Sequence, residues 1–487
     1  MKLTVCPFRA GNSACRALMA LLLAGFALHR GADASRRPSY GGTLHIEMAG
    51  RVLSTDPRQW PTDSRRVAAA ERVESLVFDR LVRLDESGQP QPALAISWQH
   101  DMPSKRWQFR LREGVKFTDG SPLTPEAAAL ALQQLLGNEF DVSANSDSVI
   151  VQSDHSVAGL LMQLATGRYF IFHRTTDGEI LGTGPFQVSD WPHDATSKVV
   201  LSANESCWAG RPFVDKIDLA MGVDPSQQAN AIAFGQADVV ELTASEARRA
   251  LQRGVRVASS DPVELYALVF DTTRPDVQDV RVRQAISLAI DRTSISEVIL
   301  QRQGVVAGGL LPNWITGYQH LFRASTDLAR AKELLNDSGH QFSRPVPLVL
   351  VYDFGDTDAR SVAERVAVNL REAGVKVQVS GQTEGSRNFT ADLRLVRHHI
   401  SSPDPAAALL ELLNSLGETT PDLETIEHIY AAERAPIDAF RVIPLVHVSE
   451  SYGVGPQVRD WMPPRWGGWR LEDVWLGPPA AAGGTSP

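Results

Sequence analysis

The sequence predicts an α/β protein with mixed sheets spread over at least two lobes. Its 487 residues are enough for two to four structural units at roughly 100–200 residues each. Arg106-Trp107-Gln108-Phe109-Arg110-Leu111-Arg112 alternates strictly between polar and apolar, the pattern of a half-buried strand. The apolar run Pro347–Tyr352, a helical stretch from Thr357 to Ala373 stopped by Gly374, and the strand Val375–Val379 follow in that order. Strand, helix and strand make a right-handed βαβ unit with parallel strands. Hydrophobic content of 43% and charged content of 22% suit a soluble chain with a sizeable core.

Taken in order, Lys2, Arg9 and Arg16 precede the apolar run Ala17–Leu28, and Ala32-Asp33-Ala34 follows. A basic start, a short apolar stretch and a small-residue site form a cleaved secretory signal, residues 1–34. The apolar run is too short to cross a bilayer core of about 30 Å. Cys15 precedes it, so no lipobox is formed. Cleavage leaves 44 Lys+Arg against 56 Asp+Glu and a single cysteine, Cys207, so no internal disulfide is expected. The acidic balance gives no support for a nucleic-acid partner.

Gly41-Gly42 leads into a strand, and Val67, Ala70, Val73, Leu76 and Val77 recur at helical spacing over Ser64–Leu81. Thr124-Pro125-Glu126 caps and starts a helix to about Leu136, and Gly137–Ser148 reads as an exposed loop. Lys198–Leu201 alternates as a strand. Asp279 caps a helix over Val280–Arg302, Asp327–Ser338 is a shorter one ended by Gly339, and Val442–Val448 is a strand.

Catalytic motifs are absent: there is no G-x-S-x-G, H-E-x-x-H, C-x-x-C or Walker loop. Gly182-Thr183-Gly184 runs straight into Pro185 and reads as a tight turn entering a strand. Cys207 beside Trp208 reads as an inert thiol. His398 and His399 point to opposite faces of an extended segment, so they do not share one metal, and no metal or cofactor is expected. Four of the ten tryptophans fall between Trp461 and Trp475. They either cover a junction between lobes or face a ligand, and Trp314 carries the same alternatives.

Several ordered segments resemble the extracytoplasmic solute-binding proteins of the peptide/nickel/opine class, family 5, which feed ABC importers. They are Leu76–Asp85, Pro92–Ala95, Phe109–Thr124, Gly182–Phe186, Asn204 with Trp208, Gly235 with Asp238, and Asp279–Arg292. The resemblance implies a periplasmic-binding-protein-like bilobal clamshell with an inserted domain. Lobe I would comprise 40–58, 172–262 and 470–487, the inserted domain II 59–171, and lobe III 263–469. It implies a monomeric periplasmic receptor that captures a small ligand and delivers it to an ABC permease, without catalysis. A sensor or adaptor of the same fold and an exported hydrolase are the alternatives.

The resemblance also implies site residues. An aspartate that pairs with a peptide's α-amine in this family is matched by Ser401, and its tryptophan by His398, within His398-His399-Ile400-Ser401-Ser402-Pro403-Asp404. Asp404 either reaches the ligand or starts a helix. Arg51 stands where an acidic group often faces the cleft. Ligand contacts are therefore expected from Arg51, Trp314, His398, His399, Ser401 and Asp404, with a ligand that is neutral or anionic.

Overall fold

The computed structural model describes residues 37–61, 64–101, 105–154, 159–191, 198–318, 321–340, 343, 345–382, 391–419 and 423–478. The expected signal segment, 1–34, lies outside them. Gly41 and Gly42 sit at positive φ and turn the chain into β1 (Thr43–Met48), whose Leu44, Ile46 and Met48 face the core. Helix α1 (Ser64–Val77) stops short of Leu81, because Asp79–Arg80 becomes extended and pairs with Phe170–Ile171. The apolar spacing continues through Phe78 and Leu81, both buried, so periodicity alone does not mark that end.

Strands β2 (Ala95–Asp101) and β3 (Arg106–Leu111) lead to α2 (Pro125–Leu136), where Thr124 Oγ1 accepts the Ala127 amide at 3.2 Å. Gly137–Ser148 is not the loop the sequence predicts. A single 3-10 turn is followed by β4 (Asp141–Ala144), paired antiparallel with β5 (Ser148–Gln152). Gln133 on α2 pins it, accepting the Val142 amide at 2.9 Å and donating to the Gly137 carbonyl at 2.8 Å. The exposed Asp141 and Ser143 conceal this strand in the sequence. These four strands, in the order β2-β3-β5-β4, close over a core containing Trp107, Phe109, Leu132 and Val149.

One eleven-stranded mixed sheet forms the rest of the frame. Its remaining strands are β6 (Phe186–Asp190), β7 (Val199–Ala203), β8 (Lys216–Met221), β9 (Val239–Leu242), β10 (Arg256–Phe270), β11 (Val346–Asp353), β12 (Val375–Gln382), β13 (Leu393–His399) and β14 (Val442–Val454). The spatial order is β6-β7-β8-β1-β9-β14-β10-β13-β11-β12, with Gly304–Val306 added to β14. The two ends have separate cores, one holding Leu44, Phe186 and Leu219, the other Leu268, Leu348 and Leu393. As predicted, β11 and β12 pair in parallel around α5 (Thr357–Ala373), which ends at Gly374 with φ 98°.

The helix expected over Val280–Arg302 is interrupted. Past α3 (Ala244–Gln252), helix α4 (Val280–Ala289) ends as Ile290 becomes extended, and Asp291 caps a fresh turn by accepting the Ser294 amide at 3.0 Å. An aspartate inside an apolar pattern is a new N-cap as readily as a continuation.

The two long strands β10 and β14 run through both halves. Ser451–Val454 pairs with β9, while Glu264–Phe270 pairs with β13. Between them the β10–β14 register slips on each side of Pro262. Proline has no amide to donate, so a central strand tolerates it at a bulge. The Glu450 amide turns to Ser260 Oγ at 3.0 Å, and the indole of Trp314 donates to the Pro262 carbonyl at 3.2 Å.

Candidate functional site

A cavity of about 120 Å³ lies beside this slip, at the junction of the two halves. Gly50 and Arg72 line it from one side, Glu241 and Thr243 follow β9, and Glu264, Arg397 and Glu450 project from β10, β13 and β14. Asp356 and Asp358 enter from the start of α5, where Asp356 is the N-cap and accepts the Ala359 amide at 2.9 Å.

Two guanidinium groups organise the charges. Arg72 donates Nη1 to Glu241 Oε1 at 2.6 Å and Nη2 to Glu450. Arg397 donates Nε to Glu264 Oε2 at 2.8 Å, Nη2 to the same carboxylate, and Nη1 to Asp356 at 3.2 Å. Tyr452 donates to the other oxygen of Glu450 at 2.8 Å, and Tyr266 to Asp356 at 3.1 Å. Glu241 also accepts the Ala49 amide at 2.7 Å. Fork geometry suits arginine here, since one planar group answers two carboxylates.

Burial opposes charge on Glu450, yet Arg72 and His399 outweigh it and hold the carboxyl below its usual range. For His399 burial again opposes charge, while Glu450 and Glu264 raise its pKa. Asp358 is pushed up to about 6 by burial and by neighbouring Asp356, against the pull of Arg397. Glu264, His399 and Glu450 each present one donor atom within 4.8 Å of the others, a set able to hold a divalent metal ion.

Of the residues expected from sequence, the structure brings only His399 to this cluster, its Nδ1 3.4 Å from Glu450. His398 faces the opposite side of β13, buried, with Nδ1 2.9 Å from Ser415 Oγ. Burial there, with His399 adding to it, lowers its pKa to about 3. Ser401 donates to Glu411 at 2.5 Å, and Asp404 caps α6 (Pro405–Leu416), accepting the Ala407 amide at 2.8 Å. Arg51 lies along Gly222, where a Cβ would run into its guanidinium, and it is not in the cavity lining. Trp314 packs at a tilt against Trp466 with ring centroids 5.1 Å apart, and Arg465 lies over its ring. Trp461 and Trp469 pack edge-on against Tyr452, so most of the aromatic segment serves the core.

The cavity's charge is the reverse of the sequence expectation. That expectation rested on the aspartate missing at Ser401 together with the cation Arg51. The carboxylates present come from Glu241, Glu264, Asp356, Asp358 and Glu450, on elements far apart in the chain. The sequence reading began that helix at Thr357 and did not single out Asp356, its N-cap. The Gly182–Gly184 turn is structural as predicted: Gly184 donates to the Val77 carbonyl at 2.9 Å and Thr183 to Asp79 at 2.8 Å. Burial pushes the Cys207 thiol up to about 11.

The family profile "Bacterial extracellular solute-binding proteins, family 5 Middle" matches residues 89–419. The chain is 28% identical over 355 residues to the nickel-binding periplasmic protein of Escherichia coli K12, covering 64% of this chain and 67% of that protein. It is 24% identical over 380 residues to a dipeptide-binding protein of Pseudomonas aeruginosa, covering 68% and 70%. Its fold matches NikA from Brucella suis, solved with Fe(III)-EDTA, at a TM-score of 0.78 and 20% identity, over 89% of this chain and all of that one. The oligopeptide-binding protein AppA from Bacillus subtilis, solved with a nonapeptide, matches at a TM-score of 0.76 and 16% identity, over 91% and 100%. Both solved neighbours are bilobal binding proteins, and the mixed α/β sheet described above is the same architecture.

Proposed function

Because the chain belongs to the bacterial extracellular solute-binding proteins of family 5, and so is a solute-binding receptor of the ABC-importer class, we propose that it works in the periplasm. There its lobes close on a small ligand at the junction cavity and deliver it to the permease. The observation that supports this reading is the cavity itself, lined from both halves of the sheet and placed beside the slip at Pro262. Closure is then a hinge motion about β10 and β14. Lobe I takes in 40–58, 172–262 and 470–487, with 59–171 inserted as a second domain and lobe III starting at 263. The stretch from Ser451 to Trp469, expected in lobe III, goes with lobe I, whose core Tyr452, Trp461 and Trp469 share with Leu44. Removal of residues 1–34 releases the receptor, which acts as a monomer and performs no chemistry on its ligand.

Native mass spectrometry of the chain purified from an exporting host tests the reading. A one-to-one small-molecule adduct on a monomer starting near Ser35 is expected. A retained leader would overturn the release step, and a recovered ligand that the protein steadily converts would overturn the receptor role.

A further inference from the structure

The cavity's charges identify the class of ligand. Five carboxylates line it, against the two guanidinium groups of Arg72 and Arg397. Both arginines are already engaged: Arg397 uses Nε, Nη1 and Nη2 on Glu264 and Asp356, and Arg72 uses Nη1 and Nη2 on Glu241 and Glu450. Neither presents an open fork to an anionic ligand. Asp358 accepts the Ala244 amide at 3.1 Å, and among the described residues no cation lies within ion-pair distance of it. A protonated His399 still leaves a surplus of two carboxylates. Its buried Nδ1 has no hydrogen-bond partner although it faces Glu450.

Closing the lobes over that surplus is unfavourable unless positive charge enters with the ligand. We propose that the junction cavity selects a positively charged ligand, either a divalent metal ion or an organic cation. This rests on the receptor reading above and makes it specific. An anionic ligand would add to the surplus and meet no vacant donor fork. A metal ion would take Glu264, His399 and Glu450 as ligands, whereas an amine or guanidinium would be met by Asp358 and Asp356.

The test is a thermal-shift and titration series on the secreted chain at neutral pH. Nickel chloride and agmatine are the cationic probes, and glucose and citrate the neutral and anionic ones. At least one cation is expected to stabilise the protein more than glucose or citrate does. If agmatine is the one bound, Asp358→Asn, which keeps an acceptor for Ala244, weakens it roughly tenfold or more. If nickel is bound, His399→Gln abolishes its shift and spares agmatine. Far-UV circular dichroism confirms that each variant is folded. Greater stabilisation by citrate or glucose, no stabilisation by either cation, or affinities within twofold of wild type in the matching variant overturns the charge assignment. The receptor reading fails separately, in the mass-spectrometry experiment.

Discussion

Glu433 and His447 hold opposite ends of one peptide unit. Glu433 Oε1 accepts the Leu311 amide at 2.9 Å, and His447 Nε2 lies 3.0 Å from the Leu310 carbonyl of the same unit, to which it donates. Both side chains are buried, and burial drives their protonation in opposite directions: Glu433 up to about 7, His447 down to about 4. In the unfolded chain they titrate near 4.5 and 6.5. Glu433 therefore gives its full contribution to stability below pH 4.5 and loses it as pH rises to 7. His447 gives its full contribution above pH 6.5 and loses it as pH falls to 4. Each slope is about 1.4 kcal/mol per pH unit, and they oppose one another between pH 4.5 and 6.5. Relative to wild type, the stability of Glu433→Gln should climb as pH rises through that window, and that of His447→Gln as pH falls. Calorimetry across the window decides; two pH-independent offsets would contradict it.

Arg72 answers two carboxylates that are themselves largely buried, with 14% of its own side chain exposed. Arg72→Ala strands Glu241 and Glu450, and a loss of about 3–5 kcal/mol is expected in urea unfolding. Arg72→Lys should recover only part, since an ammonium does not reproduce the fork. A loss under about 1 kcal/mol for the alanine variant would mean that water already screens the pair.

Ser401→Asp should not create a site for a peptide amine. Its hydroxyl now donates to Glu411, whose pKa burial already raises. A second carboxylate there replaces a hydrogen bond with like-charge repulsion. The melting temperature should fall most at high pH, with no new affinity for dialanine by calorimetric titration; appearance of such affinity would reverse the assignment.

Asp404→Ala should cost about 1 kcal/mol of stability through loss of the α6 cap. Ligand affinity should stay within twofold of wild type. A tenfold loss of affinity at unchanged stability would instead make Asp404 a ligand contact.

Local features were legible in the sequence for local reasons. Helix α5 lies between a capping Asp356 and a left-handed Gly374, and both signals sit within a turn of the ends they mark. β4 escaped because its pinning group, Gln133, belongs to the preceding helix. The Glu264–His399–Glu450 trio has no local signature at all, since three strands meet in the sheet to form it. Arg72 looks from its neighbours like one more charge on an amphipathic helix. Its burial depends on β9 and β14, which the helix sequence does not encode. Ser401 was matched to a family position from its neighbours in sequence, but its side chain is engaged by a glutamate ten residues later.

The strand order also bears on how the chain is made. β1 lies beside β9, but β9 is completed by Ser451–Val454, nearly the last strand to be synthesised. The first half of the sheet therefore keeps an open edge until almost the whole polypeptide is available. Pairings that span such long stretches of chain form slowly. Truncation products lacking β14 would expose that same edge to aggregation or proteolysis.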